Sequence, residues 1–167
     1  MGLLDIIEKF NEKVGIFGAW LVIPLNAVVV YEVLIRYVLN SPTDWVYDTA
    51  WMLFSAMFLL GGAYTMVHKR HVRIDIIFSS LPAKYQAWFD VFFFAILFLP
   101  IMGLLTWKSV DFAAFAWSHG ERLSTTLWRF PSGPVKTVIP IGFGMMFMQG
   151  FVELYRNLQK AIKGESE

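Results

Sequence analysis

The sequence predicts an all-α integral membrane protein with four transmembrane helices, and three observations support this fold class. First, 57% of the 167 residues are hydrophobic and only 16% are charged, whereas soluble domains average about 45–50% apolar and about 25% charged residues. Second, the apolar residues form four stretches, each near the roughly 20 residues that a helix needs to cross the hydrocarbon core. Third, these stretches are apolar on all sides, without the alternating pattern of membrane β-strands.

We expect one membrane domain over 1–167, with spans at about 14–35, 45–67, 87–107 and 135–154. Helices are the expected form because every backbone amide and carbonyl in hydrocarbon must be satisfied within the protein. Residues 1–13 mix acidic and basic side chains, and the apolar run after them is longer than the 7–15 residues typical of a signal peptide. The first stretch is therefore interpreted as a retained helix.

Turn residues separate the first two spans and the middle two. A Ser-Pro dipeptide at 41–42 favours a turn, and Thr43 or Asp44 is suited to cap the second helix. The second connection is short and densely basic. Ser79 or Ser80 is expected to cap the third helix, with Pro82 in its first turn.

The third connection, at 108–134, is the longest, and it interleaves aromatic and charged residues. This mixture is typical of interfacial helical segments that lie half-buried among lipid headgroups. Alternatively, the third helix continues out of the membrane as far as Trp117. The sequence leaves both possibilities open.

The distribution of Lys and Arg predicts the orientation. With four spans, the termini and the second connection share one side, which carries nine of the 14 basic residues: Lys9, Lys13, Lys69, Arg70, Arg73, Lys84, Arg156, Lys160 and Lys163. The opposite side carries five: Arg36, Lys108, Arg122, Arg129 and Lys136. Because cytoplasmic loops carry the excess of positive charge, both termini are expected in the cytoplasm.

Polar residues in the spans cluster near helix ends, where long side chains can reach water. Glu32 and Arg36 are four residues apart and can pair on one helix face. Asn26 is the deepest polar residue, and we expect it to bond to a neighbouring helix. Other pairs with helical spacing are Asp44 with Asp48, Lys108 with Asp111, and Glu153 with Arg156. Glycines that could permit close helix approach are Gly15, Gly18, Gly61, Gly62, Gly103, Gly142 and Gly144.

Several classes of function are disfavoured by composition. The chain has no cysteine and a net charge of +1, which excludes thiolate chemistry and gives no basic stripe for nucleic acid. His68, His71 and His119 all fall in connections rather than inside the spans, where haem-ligating groups would lie. No phosphate-binding loop or nucleophile with a base is evident. We therefore expect no enzyme, no metal and no cofactor.

Three blocks of sequence carry a resemblance to a known family. The first is RYVLNSP at 36–42, followed by Asp44, Trp45 and Asp48. The second is FLLGGAY at 58–64, leading to HVRID at 71–75. The third comprises GERLS at 120–124, WRFP at 128–131 and IPIG at 139–142. In this order, the blocks resemble the small permease subunit, DctQ-like, of tripartite ATP-independent periplasmic (TRAP) transporters. Asp48 departs from the pattern, since the family more often has Glu there.

The resemblance implies a non-catalytic subunit in the inner (cytoplasmic) membrane of a bacterial or archaeal cell. Its implied partners are a large, DctM-like permease subunit, which carries the substrate and sodium sites, and a periplasmic protein that delivers an organic acid. The small subunit would brace the large one, with membrane lipids around both. Two other hypotheses are a haem-bearing membrane anchor of an oxidoreductase and a small self-contained oligomeric transporter.

Under this interpretation the candidate residues fall into two groups. Arg36, Asp44, Trp45 and Asp48 are expected to form a polar cluster at the periplasmic edge of the first two helices. The second group would contact the large subunit or the binding protein, or would simply be solvated at the interface: Glu121, Arg122 and Arg129.

Overall fold

The computed structural model describes residues 2–68 and 83–163, and this part of the chain is almost wholly helical. The helices are α1 (Leu3–Trp20), α2 (Val22–Val38), α3 (Val46–Val67), α4 (Ala83–Phe92), α5 (Leu99–Ser118) and α6 (Ser132–Lys163), with a π-helical segment at Phe93–Phe98 between α4 and α5. The predicted caps of the third helix and most of the basic second connection lie outside the described residues.

Four helical stretches are long and apolar enough to cross a membrane: Leu4–Val38, Val46–Val67, Trp88–Ser118 and Ser132–Ile162. The prediction of four helices long and apolar enough to cross a membrane is thereby confirmed, and three of these stretches are longer than the predicted spans. The third helix continues to Ser118, as the second possibility for this region required. The shortened connection at 119–131 contains no helix, so the interfacial helical segments predicted there are not confirmed.

Proline interrupts the regular hydrogen bonding of the first and third spans. Pro24 has no N–H to donate to the carbonyl of Trp20. Just before it the helix narrows to a turn with a hydrogen bond between residues three apart, from the Leu21 N–H to the Gly18 carbonyl at 3.1 Å. That tightening separates α1 from α2. In the third span the π-helical segment ends just before Pro100, and such wide turns commonly accommodate a local break in the helical ladder.

The bundle is organised around α6 and α3. The α6 helix packs against α5, α4 and α3, while α1 packs against α3 and α6. The core cluster consists of Leu60, Ala63 and Met145. The α2 helix packs chiefly against α3 and contains no fully buried residue.

Two glycines bring helices into close contact, as predicted. A Cβ at Gly15 would clash with the Cβ of Tyr64, and one at Gly142 would lie 2.8 Å from the Cβ of Leu59. No side chain larger than hydrogen fits at either crossing without movement. By contrast, a Cβ at Gly61 would meet nothing within 4 Å.

Asn26 does not make the contact expected of it. Its side-chain amide donates to the Val22 carbonyl of its own helix at 2.7 Å, and the residue is exposed. Among the described residues Asn26 therefore makes no hydrogen bond to a neighbouring helix, contrary to the prediction. The reason is rotational, because Asn26 lies on the side of α2 that faces away from the bundle.

Candidate functional site: polar contacts at the two ends of the bundle

The spans of the bundle run between two ends. We call the end with the connections at 39–45 and 119–131 the distal end, and the end where α1 begins and α6 ends the terminal end. Both ends hold polar side chains that join one helix or connection to another.

At the distal end, the carboxylate of Glu32 joins α2 to the first connection. The Arg36 guanidinium lies 2.6 Å from the Glu32 carboxylate, which confirms the predicted pair on one helix face. The hydroxyl of Thr43 donates to the other oxygen of the same carboxylate. Thr43 therefore does not cap the next helix. The α3 helix begins after Trp45 with no side-chain cap, contrary to the prediction that Thr43 or Asp44 would cap it.

Asp48 joins α3 to the third connection. Its side chain is 3% exposed, and its Oδ2 accepts a hydrogen bond from the Thr126 hydroxyl at 2.5 Å. The two residues are separated by 78 positions in the chain. The contact therefore fixes the third connection over the start of α3.

The third connection folds back on itself between α5 and α6. The Leu123 N–H bonds to the Phe130 carbonyl at 2.8 Å, and Arg122 and Pro131 form an isolated β-bridge. Gly120 has φ +59° and Arg129 has φ +49°. The left-handed conformation suits glycine but is uncommon for other residues, so the turn at Arg129 is held by the contacts on either side of it.

Glu121 anchors this connection to the following helix. Its carboxylate lies 2.5 Å from the Lys136 ammonium, which also sits 3.8 Å from the centre of the Phe112 ring. The Ser132 N–H donates to the Glu121 carbonyl at 2.8 Å. One lysine thus links the connection, α5 and α6 through an ion pair and a cation–π contact.

The four candidates of the first group share the distal end but do not form one cluster. Arg36 pairs with Glu32, and its side chain is 53% exposed. Asp44 is exposed, Trp45 packs on the Tyr31 ring with centroids 5.6 Å apart, and Asp48 points into the bundle.

The second group lies on the third connection. Glu121 is part-buried in its ion pair with Lys136, whereas Arg122 and Arg129 are both exposed. The Arg122 guanidinium donates to the Arg129 carbonyl at 3.4 Å. Beside them, Leu127 is 83% exposed, so the outer surface of this connection combines two cations with an apolar tip.

The terminal end holds a polar contact that the sequence analysis missed. Asn11 and Gln149 are both 0% exposed, and the Asn11 amide donates to the Gln149 carbonyl oxygen at 2.9 Å. Close by, the Arg156 guanidinium lies 2.6 Å from the Glu8 carboxylate. The sequence analysis noted only the spacing of Arg156 with Glu153 in the same helix, whereas the pair of Arg156 with Glu8 joins α6 to α1. The missed signal was the helical spacing of Glu8, Asn11 and Gly15, which places all three on one face of α1.

The described histidines make local contacts. The His68 ring nitrogen lies 3.1 Å from the Tyr64 carbonyl, and the His119 ring stacks on Phe115 at 4.0 Å. Within residues 2–68 and 83–163, no group of three or more His, Cys, Asp or Glu side chains could hold a metal ion. His71 lies outside the described residues.

Four apolar spans joined by these inter-helix contacts define a multi-pass membrane protein. A family model, described as Tripartite ATP-independent periplasmic transporters, DctQ component, matches residues 25–160. The chain belongs to this family and is the small membrane subunit of a TRAP transporter. A comparison with curated proteins found no match.

Proposed function

We propose that this chain braces the large, DctM-like permease subunit during sodium-coupled, binding-protein-dependent uptake of an organic acid. The observation that carries the proposal is the family match over residues 25–160. In this proposal the large subunit holds the substrate and sodium sites, and the present chain contributes no reacting group.

The contacts between helices support a bracing role. A brace must keep its shape while its partner moves, and polar side chains buried between helices resist sliding because separation would leave them without partners. Asp48 with Thr126 and Glu121 with Lys136 fasten the distal end. The Asn11–Gln149 hydrogen bond fastens α1 to α6 near the terminal end.

The exposed surface supports a partner in the membrane. Large apolar side chains are exposed along every span, including Trp107 at 70%, Phe58 at 72% and Val38 at 72%. In a bilayer such residues face either lipid tails or another membrane protein. A second subunit can cover part of this surface while lipids cover the rest.

The positive-inside rule supports an orientation with both termini in the cytoplasm of a bacterial or archaeal cell. The distal end then faces the periplasm, and Arg122, Arg129 and Leu127 stand where the substrate-binding protein arrives. Two cations beside an apolar tip suit a docking surface that carries acidic side chains.

The proposal is tested by affinity purification of this chain from its native host in mild detergent, with co-purifying proteins identified by mass spectrometry. We expect a large, hydrophobic permease protein in a stoichiometric amount. A chain that purifies alone would overturn the proposal. A chain that purifies with a soluble redox subunit and shows a Soret band would overturn it in favour of a haem-bearing anchor. Uptake into liposomes by this chain alone would identify a self-contained transporter.

A further inference from the structure

Asn26 is a polar side chain within a membrane-spanning helix that faces out of the bundle. Its only hydrogen bond among the described residues runs from Nδ2 to the Val22 carbonyl at 2.7 Å, which leaves the Oδ1 oxygen without a donor. An amide oxygen in water would need no explanation. The depth of Asn26 in the membrane therefore decides its significance.

The charged residues that flank the span locate Asn26 well inside the hydrocarbon. Lys13 and Glu32 are the nearest charged residues on either side along the chain, and their midpoint falls between Val22 and Ile23. At about 1.5 Å per helical residue, Asn26 lies roughly 5 Å from that midpoint. Water is absent at this depth in a lipid-facing surface.

The rotation of α2 directs Asn26 away from the other helices. Leu25, Val28, Glu32 and Ile35 are the part-buried residues of α2 and form one face, on the side of α3. At about 100° per residue, Asn26 lies roughly 140° around the helix from the centre of that face. No side chain of α3 can reach it without a large rotation of α2.

The residues that share this outward face are exposed and apolar. We call them, with Asn26 at their centre, the Asn26 face: Val22 at 41% exposed, Asn26, Val30 at 56%, Val33 at 49% and Tyr37 at 78%. Lipid tails would suit the valines but offer no donor to the amide. Nearby Pro24 also lacks the N–H that would otherwise bond to the Trp20 carbonyl, so this part of the first span has further unused acceptor capacity.

We infer that the Asn26 face is a contact surface for a transmembrane helix of the large permease subunit, which donates a side-chain hydrogen bond to Asn26 Oδ1. The donor would come from a hydroxyl, amide or imidazole group, since these are the polar groups that commonly bond across helices in membranes. This inference rests on the proposed function, because it takes the large subunit as the partner. It adds which face of this chain that subunit covers.

A lipid and a second copy of this chain are the competing occupants. Lipid tails leave the Oδ1 oxygen unsatisfied, which costs free energy in a medium without water. A second copy could pair two Asn26 side chains, and the experiment must distinguish that case. We favour the large subunit because members of the family are one component of a transporter with several components. The family match also includes the Asn26 face from Asn26 onward.

Cross-linking in membranes of the native host, with the whole transporter present, tests the contact directly. The chain has no cysteine, so Val30→Cys provides a single attachment point for a benzophenone maleimide on the Asn26 face. Leu104→Cys, 65% exposed near the middle of the third span, is the control for a different face. We expect the Val30 probe to form a covalent adduct with the large subunit.

Two results would overturn the inference. One is an adduct of the Val30 probe with a second copy of this chain alone. The other is a Val30 probe that labels only lipid while the Leu104 probe labels the large subunit. In either case co-purification of the large subunit would leave the proposed function standing, whereas its absence would count against the proposed function itself.

Substitution of Asn26 supplies an independent measurement. Interhelical hydrogen bonds in membranes correspond to about 3- to 20-fold in affinity, so we expect Asn26→Leu to weaken retention of the large subunit by about that factor. Asn26→Gln should restore part of it, while Val30→Leu, an apolar change on the same face, serves as the matched control. Unchanged thermal melting of the isolated Asn26→Leu chain would show that its own fold is intact. Unchanged or tighter retention of the large subunit would contradict the inferred hydrogen bond.

Discussion

Replacing Asp48 by alanine should weaken the distal end of the bundle far more than replacing Asp44. Asp48 is 3% exposed and accepts a hydrogen bond from Thr126, 78 residues away in the chain. Asp44 stands four residues earlier and is exposed. The two aspartates thus form a matched pair that differs in burial and contact.

The expected magnitude follows from the contact that is lost. Hydrogen bonds to charged groups contribute about 1.5–3 kcal/mol, so Asp48→Ala should lower the free energy of unfolding by about that amount. Surface substitutions away from such contacts usually stay within about 0.5 kcal/mol, which is the expectation for Asp44→Ala. Asp48→Asn keeps an acceptor for Thr126 and should recover part of the loss.

Thermal melting of the purified variants in one detergent measures these differences, with binding-protein-dependent uptake as a second readout. The order expected is Asp48→Ala lowest, Asp48→Asn intermediate, and Asp44→Ala close to the unaltered chain. Thr126→Val combined with Asp48→Ala should cost less than the sum of the single changes, because both remove one contact. Equal melting of the two alanine variants would refute the assigned role of Asp48.

Three further predictions concern packing and ion pairs. Gly142→Ala should destabilise the chain by about 1–3 kcal/mol through overpacking against Leu59, while Gly61→Ala should be neutral or slightly stabilising, and equal melting of both would contradict the close helix crossing. Asn11→Leu should lower the free energy of unfolding by about 1–3 kcal/mol, because it leaves buried Gln149 without its partner. Adding Gln149→Leu should restore most of this loss, and a double variant no more stable than Asn11→Leu would count against that explanation. Lys136→Met should lower the free energy of unfolding by about 1–2 kcal/mol, because it removes the ion pair to Glu121 and the contact with the Phe112 ring. Thermal melting measures this loss, and a variant more stable than the unaltered chain would contradict the prediction.

The spans could be predicted from sequence because lipid imposes a single requirement on every residue of a span. Length and hydropathy therefore located all four helices without knowledge of their neighbours. The pair of Glu32 and Arg36 was equally accessible, since residues four apart share a helix face whatever the tertiary structure. The extension of the third helix to Ser118 was one of two possibilities that local composition could not separate.

Contacts between helices could not be predicted, because they depend on how each helix is rotated and which helix lies beside it. Asp48 with Thr126 and Glu8 with Arg156 join residues 78 and 148 positions apart. The contact made by Asn26 could not be predicted for the same reason, since it also depends on how the helix is rotated. Its depth was evident from the sequence, but its direction was known only once the part-buried face of α2 was defined.

Reconstituted transport tests the central claim most directly. The large subunit is placed in liposomes with and without this chain, the binding protein and its organic acid are added outside, and uptake is driven by an inward sodium gradient. The account predicts uptake only when both membrane subunits are present, and none from this chain alone. Full uptake by the large subunit without this chain, or uptake by this chain without the large subunit, would contradict it.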